Sequence, residues 1–172
     1  MAIIDKPSDY FNTVLYTGNG SSGHDITVPF SPDFTWIKER GGTGNHFLFD
    51  KVRGDNKYVN SNTADIEYTE SGGMALGTNK FTLGSWGSVN NNSDTFVSWN
   101  WKAGTSFTND ASGTGIGSID SVGSFNNDAG FSIVSYTGTG SNGTIKHGLN
   151  SKPQVIFVKA RTGDTNWGTY HE

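Results

Sequence analysis

Apolar and polar residues alternate along short stretches of the chain, and clusters of Gly, Asn, Ser and Asp separate these stretches. Alternation between turn-forming clusters is typical of β-strands with one buried face, and no stretch keeps the period of an amphipathic helix. The pattern predicts strands at 12–16, 24–30, 34–38, 46–52, 58–59, 66–68, 80–83 and 95–101. About eight short strands of this spacing predict an all-β fold, a two-sheet β-sandwich or jelly roll.

Two of these strands have features that predict their position in a sheet. The segment 34–38 reads FTWIK and carries the most apolar core material, so we expect it to be a central strand. Pro29 and Pro32 flank the end of 24–30, which indicates an edge strand because proline has no N–H to donate to a neighbour. The Gly-rich turn before this second strand predicts that it returns beside 12–16.

Internal repetition is the other pattern in the sequence. Three stretches recur in the same order about 120 residues apart, which indicates a duplication. They are FNTVLYTGNGSSG at 11–23 with FSIVSYTGTGSNG at 131–143, PDFTWIKER at 32–40 with PQVIFVKAR at 153–161, and the aromatic strand at 46–50 with that at 167–171.

The repeat divides the chain into four segments. We predict an N-terminal arm at 1–9, a complete β-sandwich module at 10–103, a linker or long loop rich in Gly, Ser and Asn at 104–128, and the first part of a second module at 129–172. An incomplete module would leave a sheet edge and an apolar face uncovered. We therefore expect either a continuing polypeptide or another chain to complete it.

Composition and charge narrow the range of partners. Aromatic residues make up 13% of the chain, enough to build a core, and the net charge of −4 comes with no cluster of cations. Duplex nucleic acid and anionic membranes attract clustered Lys and Arg, so we expect neither as a partner. There is no cysteine, and the N-terminus lacks the apolar run of a secretory signal. These features favour a protein assembled in the cytoplasm, which includes parts of a virion.

Gly18, Gly20 and Gly23 match the spacing of a dinucleotide-binding fingerprint. That fingerprint requires a helix N-terminus immediately afterwards to hold the pyrophosphate. The residues that follow, HDITV, instead have the pattern of a strand. We therefore interpret the three glycines as a turn.

No other motif indicates an enzyme, a cofactor or a metal site. Asp65 and Glu67 would share one face of a strand, and a glycosidase needs two neighbouring carboxylates, but such charges usually mark a solvated face. The oxygen-rich run from Asn90 to Asp94 fits no calcium-loop spacing. The histidines are far apart and lack metal-binding spacing; they are His24, His46, His147 and His171.

The tryptophans supply the one candidate ligand site. Trp36, Trp99 and Trp101 lie within apolar strand patterns and are expected in the core. Trp86 is flanked by Gly and Ser, which would leave its ring exposed beside amide side chains, as in sites that stack and hydrogen-bond a sugar. The predicted glycan-binding residues are Trp86, Asn90, Asn91 and Asn92. The alternative is a loop that packs against its own module or a neighbour.

Several segments recur in a characteristic order along the chain: YTGNGS, PFSPDFTWIKER, FVSWNWKAG, a Ser/Thr/Gly-rich stretch and GFSIVSYTGTGSNGTIKHGLNSKPQVIFVKAR. This order resembles the repeated modules of virion structural proteins in tailed bacteriophages, chiefly those of marine bacteria and cyanobacteria. The resemblance spans nearly the whole chain. It implies a lectin-like β-sandwich module, strung in tandem within a virion appendage, and it supplies no catalytic residue.

The resemblance also implies a function and a set of partners. The expected role is a tail fibre or related host-contact component that acts as a spacer and binds glycan through many copies. The expected partners are other virion proteins, further copies of the chain, with a trimer favoured, and a glycan of the host surface. A capsid decoration or head-fibre protein is the alternative, and a polysaccharide depolymerase domain is a third.

Overall fold

The computed structural model describes residues 4–172, and its regular structure is dominated by antiparallel strands. The strands are β1 Phe11–Thr17, β2 His24–Thr27, β3 Phe34–Glu39, β4 His46–Asp50, β5 Lys57–Asn60, β6 Tyr68–Thr69, β7 Met74–Gly77, β8 Lys80–Leu83, β9 Thr95–Trp101, β10 Thr105–Asn109, β11 Ser121–Asn126, β12 Phe131–Tyr136, β13 Val155–Val158 and β14 Gly168–His171. The helices are a 3-10 turn at Pro7–Asp9, α1 at Gly87–Asn90 and α2 at Ala111–Thr114. Over 4–172 no helix is both long and apolar enough to cross a bilayer. The prediction of an all-β fold is confirmed.

The first nine strands form two sheets. The larger has the order β1-β9-β3-β4-β5-β6, and the smaller has the order β2-β8-β7. The predicted central strand is confirmed, because β3 lies between β9 and β4. The predicted edge strand is also confirmed, since β2 pairs with β8 alone.

One predicted pairing is wrong: β2 does not return beside β1. β1 pairs with β9, and β2 lies in the other sheet, so the chain crosses between sheets at the Gly-rich turn. The turn is tied to the segment before β9 instead of closing a hairpin. The Gly18 N–H donates to the Asp94 carbonyl at 2.9 Å, and the Gly20 N–H donates to the Asn90 carbonyl at 2.8 Å.

The core lies between these two sheets and gives the first module a sandwich-like architecture. Alternate residues of a strand point inward, as β9 shows with buried Phe96, Ser98 and Asn100, and both sheets contribute such residues. The buried apolar residues that form this core cluster are Ile26, Val28, Phe30, Ile37, Phe47, Phe49, Met74, Phe81, Leu83, Val89 and Phe96. Complete burial of one such side chain stabilises the fold by about 1.5–3 kcal/mol.

The segment 104–128, which we predicted as a linker or long loop, instead contains β10, α2 and β11, and β11 pairs with β12. Its small polar residues have structural roles. The Asp110 carboxylate accepts from the Gly113 N–H and caps α2, and the buried Asn109 amide donates to the Ile116 carbonyl at 2.9 Å. A side chain at Gly123 would collide with the ring of Phe107.

The last hairpin pairs in the same register as an earlier one. In β3–β4, Phe34 lies opposite Asp50, and in β13–β14, Val155 lies opposite His171. These are the residues that the sequence repeat aligns. The hydrogen bond that closes each ladder is repeated too: Lys51 N–H donates to Asp33 O at 2.9 Å, and Glu172 N–H donates to Gln154 O at 3.0 Å.

Candidate functional site

The four residues of the predicted glycan site surround the short helix α1. Trp86 precedes the helix, Asn90 is its last residue, and Asn91 and Asn92 lead toward β9. Although they are neighbours in sequence, the structure gives them different surroundings.

Trp86 packs against its own module. Its ring is half-buried and lies 4.8 Å, between centroids, from both Phe47 and Tyr58, at 71° and 30° respectively. Its main-chain N–H donates to the Gly72 carbonyl at 2.9 Å. Edge-to-face and tilted contacts of this kind add to the energy of burial. The ring is thus only partly exposed, and the alternative of a loop packed against its own module describes this residue better.

Asn90 is fully buried, and its side-chain amide connects three parts of the module. Its Oδ1 accepts from the Asn19 N–H at 3.0 Å and lies 2.8 Å from His24 Nδ1. Its Nδ2 donates to the Ser21 carbonyl at 3.0 Å and to the Gly84 carbonyl at 2.7 Å. Two acceptor and two donor positions are all that an amide has. Asn90 therefore supports the fold and cannot contact a sugar.

Asn91 and Asn92 are the exposed members of the set. Asn91 Nδ2 donates to the Asp94 carboxylate at 2.7 Å, which fixes the turn before β9. The Asn92 side chain lies beside Gly20, whose φ of +70° requires glycine for an unstrained turn. A glycan contact at this surface stays a prediction for Trp86, Asn91 and Asn92.

The structure brings together a group of charges that the sequence did not indicate. Arg53 is nearly buried, and its guanidinium lies against Asp50 and, at 3.6 Å, against Glu67. Arg161 reaches the same Glu67 from the other end of the chain with two hydrogen bonds of 2.8 and 2.9 Å. Asp65 instead accepts from Thr63. The two carboxylates considered for a glycosidase are thus in separate polar contacts.

The charge cluster joins the segment 60–67 to the loop between β13 and β14. The Glu67 N–H donates to the Arg161 carbonyl at 3.0 Å, so main chain and side chain bind the same residue. Lys159 Nζ donates to the Ala64 carbonyl at 3.1 Å, and Trp167 Nε1 donates to the Asn60 carbonyl at 2.9 Å. We call this contact the 60–67 junction. It fixes the orientation of the last hairpin relative to the first module.

Glu67→Gln is expected to loosen the 60–67 junction. Burial acts to raise the pKa of Glu67, but hydrogen bonding to Arg161 and the charges of Arg161, Arg53 and Lys57 outweigh it, so the pKa lies below its ordinary value. Stability from this carboxylate is therefore complete above its unfolded-state pKa and is lost as the pH falls through the folded pKa. Because Arg161 is partly exposed, we expect a loss of about 1–2 kcal/mol at neutral pH.

Urea unfolding measures this loss, and exchange of the Trp167 indole proton reports the junction itself. Glu172→Gln is the matched control, because Glu172 forms an exposed ion pair with Lys152 at 2.6 Å. Its effect should stay within about 0.5 kcal/mol. Equal effects of the two substitutions would contradict a special role for Glu67.

His46 lies on the outer face of the larger sheet, where Trp36 Nε1 donates to its Nδ1 at 2.9 Å. Burial, with a smaller effect of the Lys38 charge, lowers the pKa of His46. The neutral ring required to accept this hydrogen bond is thus the favoured form. Among residues 4–172, no three His, Asp or Glu side chains are grouped closely enough to hold a metal ion.

Acidification below about pH 6 is expected to destabilise the module through His46. The unfolded chain binds a proton there more readily than the folded chain, so stability falls as the pH drops below the unfolded-state pKa. The indole N–H signal of Trp36, followed by NMR across pH 5–8, should shift with the titration. His46→Gln keeps an acceptor without a titrating ring and should remove the pH dependence. An unchanged pH profile in that variant would contradict the assignment.

Comparison with known proteins gives a family for the chain. A family model described as a domain of unknown function, DUF7483, matches residues 6–172. No curated protein matches the chain significantly, and neither does any solved structure. The chain belongs to the DUF7483 family.

Proposed function

We propose that this protein is a structural component of a tailed-bacteriophage virion, most readily a tail fibre or related host-contact appendage. In this role, lectin-like β-sandwich or jelly-roll modules are strung in tandem and act as a spacer. The resemblance of the sequence to such virion proteins supports the role. The observation that carries it is the shared register of the β3–β4 and β13–β14 hairpins, which favours a second copy of the module at 129–172.

Tandem modules suit a spacer because each module contacts only its neighbours, so length grows with copy number. The contacts between the two segments here support a fixed orientation. Phe131 of β12 packs 6.0 Å from Phe34 and 6.1 Å from Trp101, between ring centroids. The 60–67 junction adds hydrogen bonds and an ion pair between the first module and the loop that connects β13 to β14. A spacer of this kind needs no catalytic group or cofactor, and the proposal includes none.

Host contact is the second part of the proposal. Exposed Asn91 and Asn92, with the partly exposed Trp86, would bind a surface glycan weakly. Oligomerisation, with a trimer favoured, and repeated modules would make such weak contacts effective. Asn90 has no part in this, because its amide is already bonded within the fold.

Labelling purified particles with gold-conjugated antibodies against the chain tests the role and the position. Label on tail appendages is the expected result, and label on the head shell favours the capsid decoration alternative. Particles that carry no label and no peptide of this chain by mass spectrometry would overturn the proposal. Purified protein should also sediment as an oligomer and leave host polysaccharide uncleaved, whereas release of oligosaccharides would favour the depolymerase alternative.

A further inference from the structure

In the part of the chain that the structure describes, β12 and β13 each pair on one side only. β12 pairs with β11, and β13 pairs with β14. Their counterparts in the first module, β1 and β3, are joined by a strand between them, because β9 pairs with both. The first module therefore shows which kind of element belongs at the position between β12 and β13.

The free edge of β12 corresponds to the edge of β1 that pairs with β9. Hydrogen bonds between Gly18 and Asp94 and between Tyr10 and Lys102 bracket the β1–β9 ladder. Main-chain bonding alternates along an antiparallel strand, so Asn12, Val14 and Tyr16 turn their main-chain groups to β9. To accept an equivalent strand, β12 must turn the main-chain groups of the aligned residues to its free edge.

In β12 the same alternation places the corresponding residues at the open side. The Ile133 carbonyl oxygen lies against Gly123 of β11, so Ile133 faces the strand that is already present. Ser132 and Val134 consequently turn their main-chain groups to the free edge. In the sequence repeat they align with Asn12 and Val14, the residues that bond β9.

The free edge of β13 is likewise the edge that β3 presents to β9. β13 pairs with β14 in the register of β3 with β4, including the closing hydrogen bond at the end of each ladder. The side occupied by β14 therefore corresponds to the side occupied by β4. The other side is the one where β9 binds β3.

The side chains of β13 are exposed, because neither a facing sheet nor a second neighbouring strand within 4–172 covers them. Ile37 and Thr35 of β3 are 0% exposed, whereas their counterparts Val158 and Ile156 are 44% and 40% exposed. Phe157 is 68% exposed. Exposed apolar side chains on a strand with a free edge form a template for another strand.

We propose that β12 and β13 accept a single β-strand between them, supplied by a segment with the alternation of β9 but with an apolar residue in place of Asn100. The mode of binding is strand addition, in which main-chain hydrogen bonds give affinity and side-chain alternation gives specificity. The inference uses the alignment of the two hairpins and does not depend on the phage role.

The requirement for an apolar residue follows from the surroundings of Asn100. In the first module Asn100 is fully buried, and its Oδ1 accepts from the Thr35 hydroxyl at 2.9 Å. Thr35 lies directly opposite Asn100 in the ladder. At the aligned position β13 has Ile156, which has no donor to offer. The amide would lose this hydrogen bond, whereas a residue such as valine would pack directly against Ile156 as a cross-strand apolar pair, so the accepted strand should carry an apolar residue there.

The test uses the intact chain and a synthetic peptide of sequence DTFVSWNWK, residues 94–102, flanked by lysines for solubility. A second peptide carries Asn100→Val, and a scrambled peptide is the control. We expect saturable binding that protects the main-chain amides of β12 and β13 from hydrogen exchange. The Asn100→Val peptide should bind up to about fivefold more tightly than the parent peptide.

A substitution in β13, the strand that receives the peptide, tests the same preference from the protein side. Ile156→Thr restores the hydroxyl that Thr35 supplies in the first module, so the preference between the two peptides should narrow or reverse. Ile156 is partly exposed, and circular dichroism checks that the variant folds. Thr169→Ser, on β14 and away from the free edge, is the matched control and should leave the preference unchanged. If peptide aggregation intervenes, the same peptides fused after Glu172 through a Gly/Ser linker give the same comparison.

Three results would overturn the inference. The first is no protection of β12 and β13 amides at saturating peptide or in the fusions. The second is equal binding of the two peptides to the unmodified chain. The third is protection of these amides that depends on protein concentration without peptide, since a second copy of the chain would then occupy the position. Each of them leaves the labelling of virions unaffected, so failure here is distinguishable from failure of the proposed function.

Discussion

Phe96→Ala is expected to lower the free energy of unfolding by about 4 kcal/mol, because the substitution leaves a cavity at the centre of the sandwich. Phe96 is fully buried, and its strand β9 lies between β1 and β3. Its ring stacks on Tyr16 at 5.2 Å between centroids and 13° between planes. Tyr16 is itself held by a hydrogen bond from its hydroxyl to the Val89 carbonyl at 2.8 Å, so the surroundings cannot readily collapse into the space.

Urea unfolding followed by tryptophan fluorescence measures this effect. Leu15→Ala is the matched control, because Leu15 belongs to the same sheet, on the strand next to β9, but its side chain is 60% exposed. We expect a loss below about 1 kcal/mol for the control. Similar losses for both variants would mean that β9 is not the centre of the core.

Strands whose own residues alternate can be predicted from the sequence, and the predicted bounds of β8 and β9 agree with the observed ones. β7 was missed. Its residues, MALG, have neither alternation nor β-branched side chains, and only Met74 is buried. β7 is a strand because β8 pairs with it in a tight hairpin, with Met74 opposite Leu83. When pairing with a neighbouring strand determines that a segment is extended, the composition of that segment alone does not predict the strand.

In the segment 104–128, composition is misleading in another way, because it suggests a loop where the structure has strands. Its Gly, Ser and Asn content is typical of a loop, but those residues lie where larger ones do not fit or where an amide is needed inside. Gly123 lies against the Phe107 ring, and the buried Asn109 amide bonds across a turn to Ile116. The sequence alone does not distinguish small residues that are packed against aromatic rings from small residues in a solvated loop.

The candidate site was harder to predict than the fold, because its contacts join distant parts of the chain. The prediction of Trp86 depends on an exposed ring, and that exposure is decided by where Phe47 and Tyr58 lie. The ion pair of Glu67 with Arg161 joins residues 94 positions apart in the sequence. The sequence contained one usable signal: the aligned repeat places Arg161 at the position of Arg40, at the end of a strand.

Asn90→Ala is expected to lower the free energy of unfolding by about 3 kcal/mol, although asparagine to alanine on a surface has little effect. The substitution removes the amide that holds Asn19 and Ser21 of the Gly-rich turn against Gly84. It removes a fully buried side chain with all of its hydrogen bonds, and it leaves the carbonyl of the half-buried Gly84 without this donor, which carries a desolvation penalty. Amide exchange at Asn19 should accelerate, which localises the effect.

Asn90→Asp and Asn92→Ala separate this structural role from a binding role. An aspartate would turn an oxygen toward the Ser21 and Gly84 carbonyls. Burial beside these acceptors favours the protonated carboxyl, so its folded-state pKa would be raised and the variant should regain stability as the pH falls. Asn92 is exposed, so its substitution should leave unfolding within about 0.5 kcal/mol of the parent chain. Equal destabilisation by Asn90→Ala and Asn92→Ala would contradict the assignment of Asn90 to the fold, whereas loss of glycan binding in Asn92→Ala alone would place that contact at the exposed turn.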